Sequence, residues 1–171
     1  GVDIDRFSPT LVTENKKGLT FLLLARMLRD KGIPEFVTAA GIIKKNFPHT
    51  EFILAGPWDP KNPACITKQE IESLDQDRAV VCYLGSIDDV VPTIAGSDVA
   101  VLPSWYREGI PKSMLEAMAM GRPIITTDVP GCRSVVVDTV NGFLIPPKSI
   151  QALVNAMEKM ILLSSEQRQK M

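Results

Sequence analysis

The alternation of short apolar runs with amphipathic stretches is the feature that most restricts the fold. Each run is too short for a buried helix and is followed by a helical or turn pattern. The runs cover residues 19–25, 51–56, 80–84, 99–102, 123–126 and 142–145. This order is typical of successive βα units. The sequence therefore predicts an α/β fold, a Rossmann-like doubly wound parallel sheet of about six strands.

Helical patterns occupy the stretches between these runs. They cover residues 35–47, 67–76, 89–97 and 111–120, and a further stretch that begins after Ser149. Ser149 is a suitable N-cap. Pro111 is expected at the first position of its helix and Gly121 just beyond its end, the usual placement of these residues at helix termini.

The two ends of the chain differ from the rest. Residues 1–18 are polar and show no periodicity, so they are predicted to form a linker or leader. Residues 19–171 are predicted to form one domain, and the polar tail from residue 164 stops within a helical pattern. We therefore expect a fragment that is truncated at its C-terminus.

Composition and missing motifs exclude several function classes. Lys and Arg total 19 against 20 Asp and Glu, so no global charge favours a nucleic acid or an anionic membrane. One histidine, His49, and three dispersed cysteines disfavour a metal site. The cysteine pattern fits reduced thiols in the cytosol, with Cys82 expected to act as a small hydrophobe in its apolar run. Dinucleotide, Walker A and serine-hydrolase motifs are absent, and no apolar run approaches the roughly 20 residues of a membrane span.

The stretch at residues 105–123 contains the candidate chemistry. Glu108 follows the fourth predicted strand, and Glu116 lies in the next helix, so both are expected at the carboxyl edge of the sheet, where such folds bind ligands. Between them, the first backbone amides of the helix, those of Lys112 and Ser113, lack intrahelical acceptors and suit a phosphate.

Two cations follow the first predicted strand. Arg26 and Lys31 are expected at the same edge and could clamp a diphosphate, and carboxylates accept hydrogen bonds from vicinal diols. Together these groups favour a nucleotide-sugar ligand. On spacing alone, another interpretation stays open and is favoured. In it, the two cations are ordinary surface charges, Glu108 is a loop carboxylate and Glu116 is a solvated helix residue.

A longer set of motifs resembles a known family. The matching letters are GVD with RF at residues 1–7, R with KG at 26–32, LG at 84–85, SDV with LPS at 97–104, EG through EAM at 108–118, GRP at 121–123 and NG at 141–142. Nearly the whole chain is covered, and the E-x7-E pair within this string is specific. The chain resembles the C-terminal, donor-binding half of retaining glycosyltransferases of the GT-B fold, known as group 1 or family four.

The resemblance implies a role for each matching residue. Arg26 and Lys31 would bind the donor diphosphate and stabilise the leaving nucleotide, helped by the amides of Lys112 and Ser113. Glu116 would bind the ribose hydroxyls. The transferred sugar would be held by Glu108 and by the backbone of Gly109 and Ile110, and Ile87 would lie against the base. No metal, cofactor or enzymic nucleophile is implied.

At the level of the whole protein, the resemblance implies a hexosyltransferase in capsular, exopolysaccharide or lipid-linked glycan synthesis. It would transfer a hexose or N-acetylhexosamine, with a UDP-sugar as the favoured donor. The missing N-terminal domain would bind the glycan or lipid-linked acceptor, and the fragment alone would be inactive. The expected location is the cytoplasm, with peripheral association at the inner face of the membrane.

Two positions depart from the family pattern. Ala25 replaces a frequent glycine, and Ser134 replaces a frequent glutamate near the donor pocket. The second departure motivates one alternative, a sugar-nucleotide-binding module without transferase activity. The other alternative is a nucleotide-sugar epimerase, although such enzymes do not carry this E-x7-E string.

Overall fold

A computed structural model describes residues 1–9, 17–75, 80–107 and 109–171. Its centre is one parallel sheet of six strands, in the order β3-β2-β1-β4-β5-β6. The strands are β1 (Thr20–Leu24), β2 (Glu51–Ala55), β3 (Val81–Tyr83), β4 (Val99–Leu102), β5 (Ile124–Thr127) and β6 (Gly142–Ile145). The predicted fold class is confirmed, and all six predicted strands are present within one or two residues of their predicted ends.

Helices connect the strands and cover both faces of the sheet. They are α1 (Ile33–Asn46), α2 (Lys68–Leu74), α3 (Val91–Ala95), α4 (Lys112–Ala119), α5 (Ile150–Leu162) and α6 (Ser165–Gln169). A short 3₁₀ turn, Arg29–Lys31, precedes α1. Within the described residues, no helix is long and apolar enough to cross a membrane.

The alternation of side chains along each strand divides the core into two layers. On β1, Phe21 and Leu23 pack in the larger cluster with residues of α1 and α5, whereas Leu22 faces the cluster that contains Ile94 of α3 and Met114 of α4. Helices α1 and α4 therefore lie on opposite faces of the sheet. The strand order reverses between β1 and β4, which creates a crevice between the loops that follow them.

Local details differ from the sequence predictions at three points. Helix α1 begins at Ile33, earlier than predicted, because Gly32 turns the chain with φ of +78° as its N-cap. Pro111 was predicted as the first helical residue of α4 but is its N-cap, with ψ of 124°, and the helix begins one residue later, at Lys112. Cys82 was expected to pack as a small hydrophobe but is exposed, since β3 lies at the edge of the sheet.

The polar start of the chain contributes to the fold. Phe7 is 4% exposed and packs in the α3 and α4 layer, with the Arg6 guanidinium 5.2 Å from the centre of its ring. Arg6 also donates a 2.9 Å hydrogen bond to Asp89, in the loop before α3. Residues 4–7 thus form a turn that packs on the domain through Phe7, and residues 17–19 lead into β1.

Candidate functional site

The loop after β1 forms one wall of the crevice. Arg26 is exposed, whereas Lys31 is 8% exposed and lies at the end of the 3₁₀ turn. Gly32 brings this loop against the β4 side, because a Cβ built on it would lie 2.3 Å from the carbonyl oxygen of Pro103. The structure therefore places both predicted cations at the carboxyl edge, beside the loop that follows β4.

Hydrogen bonds join the loop after β4 to the loop after β1. The Trp105 amide and the Ser104 hydroxyl both donate to the Asp30 carbonyl oxygen at 3.0 Å. The Thr127 hydroxyl, at the end of β5, donates to the Ser104 carbonyl. Three neighbouring strand ends are thus connected through residues 103–105.

The loops after β2 and β3 extend this wall on the other side of β1. The Gly56 amide donates to the Gly85 carbonyl at 2.8 Å, and the Tyr83 hydroxyl donates to the Gly56 carbonyl at 2.8 Å. Gly56 lies against the chain after β1, because a Cβ at this position would be 1.9 Å from the Ala25 carbonyl oxygen. Ile87, the predicted base contact, follows Gly85 and packs partly against the α3 and α4 layer.

Two arginines of the β1 loop form different contacts. Arg26 is paired with Asp59 at 3.4 Å, but its own side chain is 55% exposed, so the Arg26 guanidinium is accessible to an anion. Arg29 forms a 2.5 Å ion pair with Glu70 of α2 and also donates to the Cys65 carbonyl. The hydrogen bonds from Arg29 lower the pKa of Glu70 to about 2. Arg29 therefore anchors α2 and the segment before it, while Arg26 faces solvent.

Helix α4 presents its N-terminus and a buried carboxylate to the same edge. In the described part of the chain, the first amide with a hydrogen bond to Pro111 is that of Met114, so the amides of Lys112 and Ser113 point out of the helix end. Glu116 is 7% exposed, and the Lys112 ammonium lies 3.5 Å from its Oε1. Glu116 is thus a buried hydrogen-bond acceptor, whereas the Lys112 side chain that contacts it is 76% exposed.

The predicted sugar-binding segment is only partly described. Glu108 lies outside the described residues, and Gly109 and Ile110 are exposed, with Ile110 at 50%. Both belong to the loop between β4 and α4, next to the α4 N-terminus. The roles predicted for these three residues stay predictions.

Sequence reasoning missed a cluster beside this loop. The Lys148 ammonium lies 4.1 Å from the centre of the Trp105 ring, although the two residues belong to different loops. Burial raises the pKa of Glu35, while the positive charge of Lys148 acts in the opposite direction and lowers it. Glu35 Oε2 and Asp30 Oδ1 are buried without a hydrogen-bond partner among the described residues. In the sequence itself, the signal for this cluster was Trp105, the large aromatic residue shortly before the E-x7-E motif.

The geometry suits a ligand with a diphosphate and hydroxyl groups. Cations from the β1 loop and the first amides of α4 can bind phosphate oxygens, and Glu116 can accept hydrogen bonds from a diol. Among the described residues, no three His, Cys, Asp or Glu side chains are grouped as they would be around a metal ion.

A groove of about 650 Å³ lies at the opposite edge of the sheet. It is lined by residues such as Gly18, Asp98 and Arg168, and by His49, which is exposed as predicted. Parallel α/β sheets bind ligands at the carboxyl edge. We therefore regard the crevice between β1 and β4 as the candidate site.

The sequence matches known enzymes over most of its length. The family model for glycosyl transferases of group 1 matches residues 18–162. The chain is 32% identical, over 98% of its length, to the N,N'-diacetylbacillosaminyl-diphospho-undecaprenol alpha-1,3-N-acetylgalactosaminyltransferase of Campylobacter jejuni. It is 30% identical, over 92% of its length, to the UDP-Gal:alpha-D-GlcNAc-diphosphoundecaprenol alpha-1,3-galactosyltransferase of Escherichia coli. It spans 44% and 42% of these two proteins, respectively.

Solved structures agree with this match. The C-terminal domain of the group 1 glycosyl transferase LpcC from Francisella tularensis superposes with a TM-score of 0.82 at 27% identity, and the match covers 99% of this chain and 92% of that domain. Sucrose-phosphate synthase from Thermosynechococcus elongatus superposes with a TM-score of 0.83 at 29% identity, over 44% of its length. The predicted resemblance is confirmed, with this chain matching one half of the longer structures.

Proposed function

The chain belongs to the glycosyl transferases of group 1, and from this premise we propose that it is the nucleotide-sugar-binding half of a retaining hexosyltransferase. The donor is a UDP-sugar, and the transferred group is a hexose or an N-acetylhexosamine. The acceptor is a glycan or a lipid-linked sugar that the other half of the full-length protein binds. The pathway is the synthesis of a surface polysaccharide.

The names of the relatives support these substrate classes. The Escherichia coli relative is named for UDP-Gal as its donor, and both relatives are named for acceptors on a diphospho-undecaprenol lipid. A lipid-linked acceptor would bring the full-length protein to the inner face of the membrane as a peripheral, cytoplasmic enzyme. Transfer with retention, without a metal ion, is part of the same proposal.

One observation is central to the proposal: Glu116 is a buried carboxylate in α4, at the carboxyl edge of the sheet. Burial of a carboxylate is unfavourable unless hydrogen bonds or charges offset it. In the described residues, its contact is with the largely exposed Lys112. A ribose diol would supply two donors to this acceptor, next to amides suited to the phosphates.

The remaining residues of the site would act on the diphosphate. As the bond to the sugar breaks, negative charge develops on the leaving nucleotide. Arg26 and Lys31 would stabilise this charge, together with the amides of Lys112 and Ser113, and this is electrostatic catalysis. Ile87 would contact the base, and Glu108, Gly109 and Ile110 would hold the sugar near its reacting carbon.

Calorimetry with UDP tests the assignment of Glu116. We expect Glu116→Gln to weaken UDP binding about tenfold or more, because a lost hydrogen bond to a charged group costs about 1.5–3 kcal/mol. Glu166→Gln is the matched control, since Glu166 forms the same type of helical ion pair, with Lys170, outside the candidate site. Equal UDP affinity of the unaltered chain and Glu116→Gln would contradict the assignment.

Sugar transfer by the full-length protein tests the activity. We expect transfer from UDP-galactose or UDP-N-acetylgalactosamine to a diphospho-undecaprenol-linked sugar. Binding of UDP without any transfer would favour the inactive binding module that Ser134 suggested. Conversion of the UDP-sugar to its epimer without an acceptor would favour an epimerase.

A further inference from the structure

Trp105 is the last anchored residue before the exposed part of the loop between β4 and α4. Its amide is bound to the Asp30 carbonyl at 3.0 Å, and its side chain is half-buried. The next residues, Tyr106 and Arg107, are exposed, as are Gly109 and Ile110 beyond them. The position of the Trp105 ring therefore sets where the exposed part of the loop begins.

Lys148 covers this ring from another part of the chain. It precedes Ser149, the N-cap of α5, and its ammonium lies 4.1 Å from the ring centre. Its backbone is in the left-handed region with φ of +59°, which is unfavourable for a lysine. An exposed lysine in this conformation indicates that the surrounding structure, including its contact with Trp105, holds it there.

The contact pairs the positively charged Lys148 ammonium with the aromatic ring of Trp105. A lysine ammonium over an indole face is attracted by the negative potential of the ring. Glu35, in the first turn of α1, lies close enough to interact electrostatically with Lys148. Lys148 thus connects the loop before α5 with the loop after β4.

From this geometry we propose that Lys148 is a positioning residue for sugar transfer: through the Trp105 ring it holds the part of the loop that carries Gly109 and Ile110 in its productive position. The inference rests on the proposed function, since that function assigns Gly109 and Ile110 to the transferred sugar. The nucleotide contacts are held by other elements, namely the β1 loop and α4. Loss of Lys148 should therefore affect turnover of the UDP-sugar and spare the affinity for UDP.

The test compares three variants. Lys148→Met removes the charge but keeps the length of the side chain, and Lys148→Arg restores a cation that can stack on the ring. Lys159→Met is the matched control, because the Lys159 ammonium, in α5, lies 5.6 Å from the centre of the Phe143 ring, in β6. This contact is of the same type but does not involve the β4 loop. UDP affinity is measured by calorimetry, and UDP release from UDP-galactose and UDP-N-acetylgalactosamine is measured with the full-length protein.

We expect Lys148→Met to lower kcat about tenfold, since displacement of a positioning loop can cost up to about a hundredfold in rate. KM and the Kd for UDP should stay within about twofold of the unaltered protein. Lys148→Arg should recover most of the rate, and Lys159→Met should leave it unchanged. An unchanged kcat in Lys148→Met, or an equal loss in Lys148→Arg, would overturn the proposal.

A second readout does not depend on activity. The chain has two tryptophans, so in the Trp58→Phe background its fluorescence comes from Trp105 alone. The 171-residue chain suits this measurement, because it forms both core layers from its own residues. We expect Lys148→Met to increase acrylamide quenching of Trp105 at least twofold, and an unchanged quenching constant would overturn the proposal. Failure of the unaltered protein to bind UDP would instead refute the proposed function, and the quenching result would still decide whether Lys148 positions Trp105.

Discussion

Gly32 is the residue at which the two walls of the crevice meet. Its φ of +78° is unfavourable for other residues, and an added Cβ would lie 2.3 Å from the Pro103 carbonyl oxygen. We expect Gly32→Ala to lower the free energy of unfolding by about 2 kcal/mol or more, because strain and a backbone clash add. Chemical denaturation measures this change.

Gly41 provides the control for this prediction. It lies within α1, and a Cβ there would meet no atom within 4 Å. Gly41→Ala should therefore raise the free energy of unfolding by about 0.5–1 kcal/mol, through helix propensity. Equal effects of the two substitutions would contradict the account of Gly32.

Individual residues differ in how far the sequence predicts them. Arg26 and Lys31 could be placed at the carboxyl edge because they follow a strand, and Glu116 because it lies in the helix that follows β4. The contact between Lys148 and Trp105 could not be predicted, because it depends on the paths of two loops. The prediction that Cys82 packs as a small hydrophobe was wrong, because an apolar run does not reveal that its strand lies at the edge of the sheet.

A buried arginine caps the C-terminal end of α3. Arg122 is 3% exposed and donates hydrogen bonds to the carbonyls of Ile94 and Ala95 at 3.2 and 3.0 Å, at the C-terminal end of α3. We expect Arg122→Ala to destabilise the fold by about 2–3 kcal/mol, since these carbonyls lose a charged donor in a buried position. Arg133→Ala should cost less than about 1 kcal/mol, because its ion pair with Asp128 is exposed. Similar unfolding curves for both variants would refute this role.

The attachment of α2 should depend on pH. The pKa of Glu70 is lowered from 4.5 to about 2, chiefly by the side-chain hydrogen bond from Arg29. A lowered pKa means that ionised Glu70 stabilises the fold above pH 4.5, and that this contribution disappears as the pH falls towards 2. The difference in melting temperature between the unaltered chain and Glu70→Gln should therefore shrink between pH 5 and pH 2. A constant difference across this range would contradict the pKa of Glu70.

Elements were easier to predict than their ends. Apolar runs identified all six strands of the described sheet, and the pattern is clearest in the central strands, where burial on both faces leaves a continuous apolar run. The start of α1 was misplaced since the left-handed conformation of Gly32 depends on its close approach to Pro103. The position of Pro111 was wrong by one residue, because proline suits both the N-cap and the first helical position with similar φ.

For the whole molecule, the strand order explains why the site lies where it does. Strands β1 and β4 are neighbours in the sheet, and the connections that follow them lead to opposite faces of the sheet. The sequence predicts the parallel, doubly wound class but not this order, which depends on how the units pack. The proposed nucleotide site at the point of reversal rests on that order together with Arg26 and Glu116.

The most direct measurement of the central claim is the mapping of UDP onto the chain by amide chemical shifts in NMR. We predict that UDP perturbs amides at the carboxyl edge, namely those of Arg26, Lys31, Ile87, Lys112 and Ser113, and that Glu116→Gln needs about tenfold more UDP, or more, for the same shifts. Shifts confined to the groove at the opposite edge, around Gly18 and Asp98, would contradict the claim.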